Sequence, residues 1–274
     1  MSNIGKAFDG KKAFISFITC GDPSLEETRK QVYTLVEAGV DLIELGIPFS
    51  DPTAEGPVIQ EANERALAGG ITTDRIFEFV KELRRDNERP VTIPLVFMTY
   101  ANVVYSYRAV KGLEADGRVI NGSEAFFFRC REAGIDGVIL PDVPYEEKEE
   151  FQTVADLYGV DMISLIAPTS AGRITEIAAN AKGFIYIVSS LGVTGVRNEI
   201  TTDIGSIVQM IREVSDVPCV VGFGISTADQ ARKMAGLSDG AIIGSGIMKK
   251  FRETGITEAS AYITDLAEAV HDAI

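Results

Sequence analysis

Short apolar runs rich in β-branched and aromatic residues recur along the chain, separated by polar-studded segments with helical spacing. Eight such runs stand at residues 13–19 (AFISFIT), 40–46 (VDLIELG), 93–99 (IPLVFMT), 137–141 (GVILP), 161–167 (DMISLIA), 183–189 (GFIYIVS), 218–224 (PCVVGFG) and 240–245 (GAIIGS). Most lack polar/apolar alternation, which predicts strands buried on both faces, as in a parallel sheet. Between them, "SLEETRKQVYTLVEAG" predicts a helix with Ser24 as N-cap and Glu27 three residues on, a capping-box pattern. "STADQARKMAG" repeats the pattern with Ser226 and Asp229.

A weak internal repeat supports this layout. "EAGVDLIEL", "EAGIDGVIL" and "LYGVDMISL" share a helix end, a Gly, a β-branched residue, an Asp and a strand, and "LSDGAIIG" is a looser copy. The Gly stops the helix in the left-handed conformation and the strand starts at once. Eight β/α alternations predict a (β/α)8 TIM barrel, with an open doubly wound sheet as the second choice. No linker divides the chain, so 1–274 reads as one barrel domain. Residues 105–123 are long for a βα connection and read as an insertion after strand three.

Composition narrows the function. The 274 residues are 46% hydrophobic and 24% charged, an ordinary globular balance. A net charge of −14 repels phosphate backbones, which argues against nucleic acid as a partner. No apolar run approaches a membrane span, and the N-terminal stretch lacks the apolar core of a signal peptide. Cys20, Cys130 and Cys219 are odd in number and far apart, each in or beside an apolar segment. They read as buried free thiols, and a cytoplasmic location is expected. The single histidine, His271, argues against a Ser-His dyad or a multi-His metal site.

In a barrel the chemistry lies at the C-terminal strand ends. Strand two ends "DLIELGIPFSDP", where Leu42, Glu44 and Gly46 share one side. Desolvation there would raise the pKa of Glu44 and suit it to general acid/base work; a structural pairing with a buried Arg or hydroxyl fits equally. The Pro- and Gly-rich loop "PFSDPTAEGP" holds Asp51 and Glu55, either solvated loop acids or functional groups at the catalytic end. After strand six, Gly192, Thr194 and Gly195 lie in a polar loop that reads as a lid or a plain connection. Tyr186, inside that strand, reads as core. Strands seven and eight end in Gly-x-Gly running into helix starts, a pair of anion-binding turns where barrels hold phosphate. No lysine falls within a predicted strand beyond its first residues, which argues against a Schiff-base aldolase, and the histidine count argues against a metal-dependent one. What remains is metal-free proton transfer by carboxylates on a phosphorylated small molecule.

The segments "LIELGIPFSDPTAEGPVIQ", "FITCGDP", "MTYANVV", "LPDVP", "SSLGVTGVR", "VGFGIS" and "IGSGI", in this order and over nearly the whole chain, resemble the tryptophan synthase alpha subunit family. The resemblance implies a (β/α)8 barrel that cleaves indole-3-glycerol phosphate to indole and glyceraldehyde 3-phosphate. It implies that Glu44 is the glutamate that shuttles the proton, and that Glu55 accepts the indole N–H and stabilises positive charge there. It places Thr194 and Gly195 in a lid, and Gly195, Gly224, Ile225, Gly244 and Ser245 on the phosphate. Phe17, Met98, Tyr100, Ile139, Tyr186, Phe223 and Ile242 match positions lining the indole pocket. No cofactor is implied in this chain; pyridoxal phosphate is expected in a partner beta subunit, with Asp51, Pro52 and Asn102 on loops facing that partner. One departure stands out: the family's Ala-Asp-Gly-Pro is here Ala54-Glu55-Gly56-Pro57, one methylene longer. That motivates a rival reading, a weakened alpha-like protein that binds and activates a beta subunit. Another phosphate-binding barrel, such as an indoleglycerol-phosphate synthase or a sugar-phosphate isomerase, is a third.

Overall fold

The computed structural model describes residues 2–109, 113–115, 117–188, 203–222 and 224–274. Its main strands are β1 (Ala13–Thr19), β2 (Leu42–Gly46), β3 (Leu95–Met98), β4 (Gly137–Ile139), β5 (Asp161–Met162 and Ser164–Ile166), β6 (Ile185–Val188), β7 (Cys219–Gly222) and β8 (Gly240–Ile243). Between and after them run α1 (Leu25–Glu37), α2 (Pro57–Ala68), α3 (Thr73–Arg85), α4 (Ala101–Tyr105), α5 (Gly122–Ala133), α6 (Glu149–Tyr158), α7 (Ala171–Ala179), α8 (Ile204–Arg212), α9 (Ala228–Leu237) and α10 (Ser245–His271). Each expected run contains a strand, usually trimmed by a residue or more at its ends. Among the described residues no helix is long and apolar enough to cross a membrane.

Neighbouring strands pair in parallel from the first piece of β5 through β4, β3, β2, β1, β8, β7 and β6 to the second piece of β5. Both ends of the sheet therefore belong to one stretch of chain, interrupted only at Ile163, whose N–H donates to the Val138 carbonyl at 3.0 Å. The sheet closes on itself at β5, which excludes the open doubly wound alternative. Parallel neighbours in register share a face, so Phe17 stands beside Glu44, Gly46 beside Met98, and Met98 beside Ile139 inside the barrel.

In three of the four copies of the repeat the Asp before the strand has a physical task. Asp41 Oδ2 accepts the N–H of Phe14 at 2.8 Å, Asp136 Oδ2 that of Leu95 at 3.0 Å, and Asp239 Oδ2 that of Cys219 at 2.7 Å. Each carboxylate reaches back to the preceding strand at the N-terminal end of the barrel and satisfies a backbone donor there. Each also takes a cationic or imidazole partner: Lys11 and His271 on Asp41, Arg84 on Asp136, Arg212 on Asp239.

Two capping expectations need correction. Ser24 Oγ accepts the Glu27 N–H at 3.2 Å, but the Glu27 carboxylate is bonded to Lys30 at 2.6 Å. In the second case the N-cap is Thr227, not Ser226, and its reciprocal partner is Gln230, not Asp229. The register moves by one because Gln230 Oε1 takes the N–H groups of both Ser226 (2.8 Å) and Thr227 (3.2 Å).

Within residues 105–123 an antiparallel hairpin pairs Glu114–Ala115 with Arg118–Val119. Tyr107 and Ile120 are buried. The Tyr107 ring meets Phe77 of α3 and Phe126 of α5 edge-on, and its hydroxyl donates to Asp74.

Candidate active site

Glu44 sits at the third position of β2 and is 1% exposed. Its Oε1 has no hydrogen-bond partner among the described residues. Burial pushes its carboxyl up to about 8, so the group is largely protonated at neutral pH. Among the described residues no arginine forms an ion pair with Glu44, which removes the buried-arginine form of the structural reading. Across the barrel Tyr186 of β6 is 5% exposed, and the nearby Glu44 charge adds to burial in raising its phenol.

Three glycines make room for this arrangement. A β-carbon on Gly46 would lie 2.6 Å from Phe17 Cζ, one on Gly222 2.6 Å from Tyr186 Cε1, and one on Gly244 3.0 Å from Phe17 Cβ. Glycine at these strand ends leaves the space that the Phe17 and Tyr186 side chains fill, where a β-carbon would press on them.

A cavity opens above the rings. It brings together Glu44, Phe17, Met98, Tyr186 and Ile242 with Gly224, Ile225, Gly244 and Ser245. Ile59 of α2 also lines it, a contribution from outside the strand ends that the strand-end pattern cannot reveal. Its volume is about 30 Å³. That is room for a water or two.

At one edge lie two helix starts. Gly224 has φ 81°, a left-handed turn that suits glycine. Thr227 Oγ1 caps α9 by accepting the Gln230 N–H at 3.3 Å, whereas among the described residues no side chain caps α10 after Gly244. The α10 start therefore keeps its N–H groups and positive dipole end for an anion. The Tyr262 hydroxyl, from the far half of α10, donates to the Ser226 carbonyl at 2.7 Å and holds the two turns together.

Glu55 is 5% exposed, which excludes the reading of a solvated loop acid. Asn63 Nδ2 donates to Glu55 Oε2 at 2.7 Å, and Gln60 Nε2 to the Glu55 carbonyl at 2.7 Å. Tyr100 also bears on this carboxylate; its hydroxyl accepts the Ala54 N–H at 3.2 Å, and its ring stacks on Phe49 at 5.0 Å. Burial pushes Glu55 up to about 7, against the opposing bonds from Asn63 and Tyr100. Glu55, Tyr100 and Ile139 are not among the described residues lining the cavity. Tyr100 instead braces the Glu55 loop, and Ile139 is buried in the core beside Met98.

Asp51 and Asn102 are exposed and Pro52 is half-buried. The Asp142 carboxylate fixes the start of α4, accepting the Ala101 N–H at 3.1 Å beside Asn102. Thr194, Gly195 and Phe223, with Gly192, lie outside the described residues. Among the described residues no group of three or more His, Cys, Asp or Glu is placed to hold a metal, and the three cysteines are buried and free.

A family model described as "Tryptophan synthase alpha chain" matches residues 6–273. The chain belongs to the tryptophan synthase alpha chain family. A tryptophan synthase alpha chain from Lacticaseibacillus casei is 44% identical, over 90% of this chain and 86% of that one. The crystal structure of the alpha chain from Legionella pneumophila subsp. pneumophila superposes with a TM-score of 0.82 at 32% identity, covering 98% of this chain and 97% of that one. A chain of Mycobacterium tuberculosis tryptophan synthase gives 0.84 at 30% identity, with 98% of both chains covered. Among the features of this alpha chain, Ile59, Gln60, Asn63 and Tyr262 escape sequence reasoning because each sits on a helix. Only the i, i+5 and i, i+8 spacing from Glu55 hints that Gln60 and Asn63 face back to it.

Proposed function

We propose that Glu44 and Glu55 carry the family's reaction in this chain, the cleavage of indole-3-glycerol phosphate to indole and D-glyceraldehyde 3-phosphate. The observation that carries this reading is the Glu44 carboxyl, buried at the mouth of the barrel with its Oε1 unpaired among the described residues and raised to about 8. A protonated Glu44 gives its proton to indole C3, and the ring nitrogen's electron pair makes the ring an iminium. The resulting carboxylate takes the proton of the glycerol hydroxyl next to the ring. The O–H electrons form the aldehyde, the carbon–carbon bond breaks, and its electrons return to the ring. Glu44 ends protonated again, and no metal or Schiff base is needed.

Glu55 accepts the indole N–H and opposes the positive charge that develops there. Its pKa of about 7 suits this role, since the N–H contact favours the ionised form. Phe17, Met98, Tyr186 and Ile242 pack the ring, and the Gly224–Ile225 and Gly244–Ser245 turns take the phosphate. Thr194 and Gly195 serve as the lid, and Phe223, Tyr100 and Ile139 complete the pocket and its support.

The alpha chain is one barrel domain, with residues 105–123 inserted, and works in the cytoplasm in a complex with a beta subunit. Pyridoxal phosphate belongs to that partner, and Asp51, Pro52 and Asn102 face it. Indole release by the full chain, alone and with a beta subunit, tests the reading. Turnover is expected in both; no turnover, with activity restored in Glu55→Asp, overturns it in favour of the weakened binding partner.

A further inference from the structure

A second cavity lies beside the barrel mouth, between the stretches that follow β4 and β5 and the starts of α6 and α7. Its volume is about 450 Å³, within the range of small-molecule pockets. The walls are mainly apolar, with Leu140, Val143, Met162, Ile163 and Ile177 among them. Lys148 and Ser164 also line it, and Lys148 Nζ donates to Ser164 Oγ at 2.8 Å.

Two of the charged groups near Lys148 are paired elsewhere. Arg173, also at this cavity, is held by both oxygens of Glu146. Asp156 is held by Lys182 at 2.7 and 2.8 Å. Lys182 repels Lys148, and Asp156, Asp161 and Glu149 attract it only from a distance. Among the described residues no carboxylate oxygen lies within 4.0 Å of Lys148 Nζ. An ammonium has three hydrogens to donate, and Ser164 accepts one of them. Burial pushes Lys148 down to about 8, a penalty that a bound anion would relieve.

We propose that this cavity is a second ligand site, which takes a small carboxylate carrying an apolar body. One ammonium and one neutral hydroxyl match a monoanion; a phosphate dianion calls for more donors than these. The apolar walls take the rest of the molecule. The site shares no lining residue with the Glu44 cavity.

Hydrocinnamate and its neutral amide, titrated calorimetrically into the full-length protein, test the proposal. The acid should bind at about 1 mM or tighter, and about tenfold tighter than the amide. Lys148→Met should weaken the acid about tenfold and leave the amide unchanged, while Lys148→Arg keeps the preference for the acid. Ser164→Phe, which fills the cavity, should abolish binding of both. Indole release should be unchanged in all three variants, which separates this site from the barrel mouth and reports that each variant folds. Equal affinity for acid and amide, no binding of the acid at that level, or undiminished binding of the acid by Lys148→Met would overturn it.

Discussion

The side-chain amide of Asn63 donates to the carboxylate of Glu55 across 2.7 Å, joining the second turn of α2 to the loop before it. This bond gives the longer acid a fixed seat. It accounts for how a glutamate stands in "TAEGP" without swinging into solvent. Asn63→Leu keeps the branched shape and removes the donor. Indole release should fall on the order of tenfold, and the Glu55 pKa should move further up from about 7. Steady-state assays across pH would read both; an unchanged profile would show that Asn63 only packs the helix.

Glu44→Gln preserves shape and removes the transferable proton. Cleavage should drop by about a thousandfold, within the span of general acid/base effects. Binding of indole propanol phosphate should remain close to native. Loss of ligand binding in calorimetry would instead assign Glu44 a structural role.

Both carboxyls sit above their ordinary value in the folded chain, so the folded state holds more protons than the unfolded one. Their contribution to stability is present in full below the ordinary carboxylate pKa. It is lost as pH rises, through about 7 for Glu55 and about 8 for Glu44. Native protein should therefore lose stability from pH 5 to pH 8 relative to Glu44→Gln, by up to about 1.4 kcal/mol per pH unit. Urea unfolding at both pH values measures this. A parallel decline in the two proteins would mean that Glu44 ionises normally.

Much of this was legible in the residues. The unalternating runs identified parallel strands because a doubly covered strand has no polar face. Glu44 stood out because a carboxylate in such a run needs a reason. Tertiary partners set the rest. The break at Ile163 depends on which neighbour each piece of β5 meets, and the shift from Ser226 to Thr227 depends on where Gln230 points. The burial of Glu55 rests on Asn63, eight residues on, and on Tyr100, from another strand end.

Gly222→Ala places a methyl group against the Tyr186 ring, within 2.6 Å of Cε1. The ring must turn into the cavity or the strand must shift. Stability should fall by about 1–3 kcal/mol, as for other overpacked cores. The KM for indole-3-glycerol phosphate should rise, since the displaced ring occupies the space of the substrate. Thermal unfolding together with steady-state kinetics checks both; a native KM would place Tyr186 away from the substrate.

Asp136→Ala strips partners from the Leu95 N–H, from Arg84 and from Asn3. Removing one side of a buried pair costs about 3–5 kcal/mol. Denaturant midpoints should drop accordingly, while kcat stays near native, because this carboxylate lies at the opposite end of the strands from Glu44. A large loss of kcat without loss of stability would contradict that separation.

The three carboxylates of Asp41, Asp136 and Asp239 stitch strand to strand at the end of the barrel away from Glu44. The framework is thus riveted at its floor, and its roof is left free to vary. A chain built this way can vary the residues of a roof loop without retesting whether the cylinder will close. Innovation and integrity are assigned to opposite ends of the same eight strands.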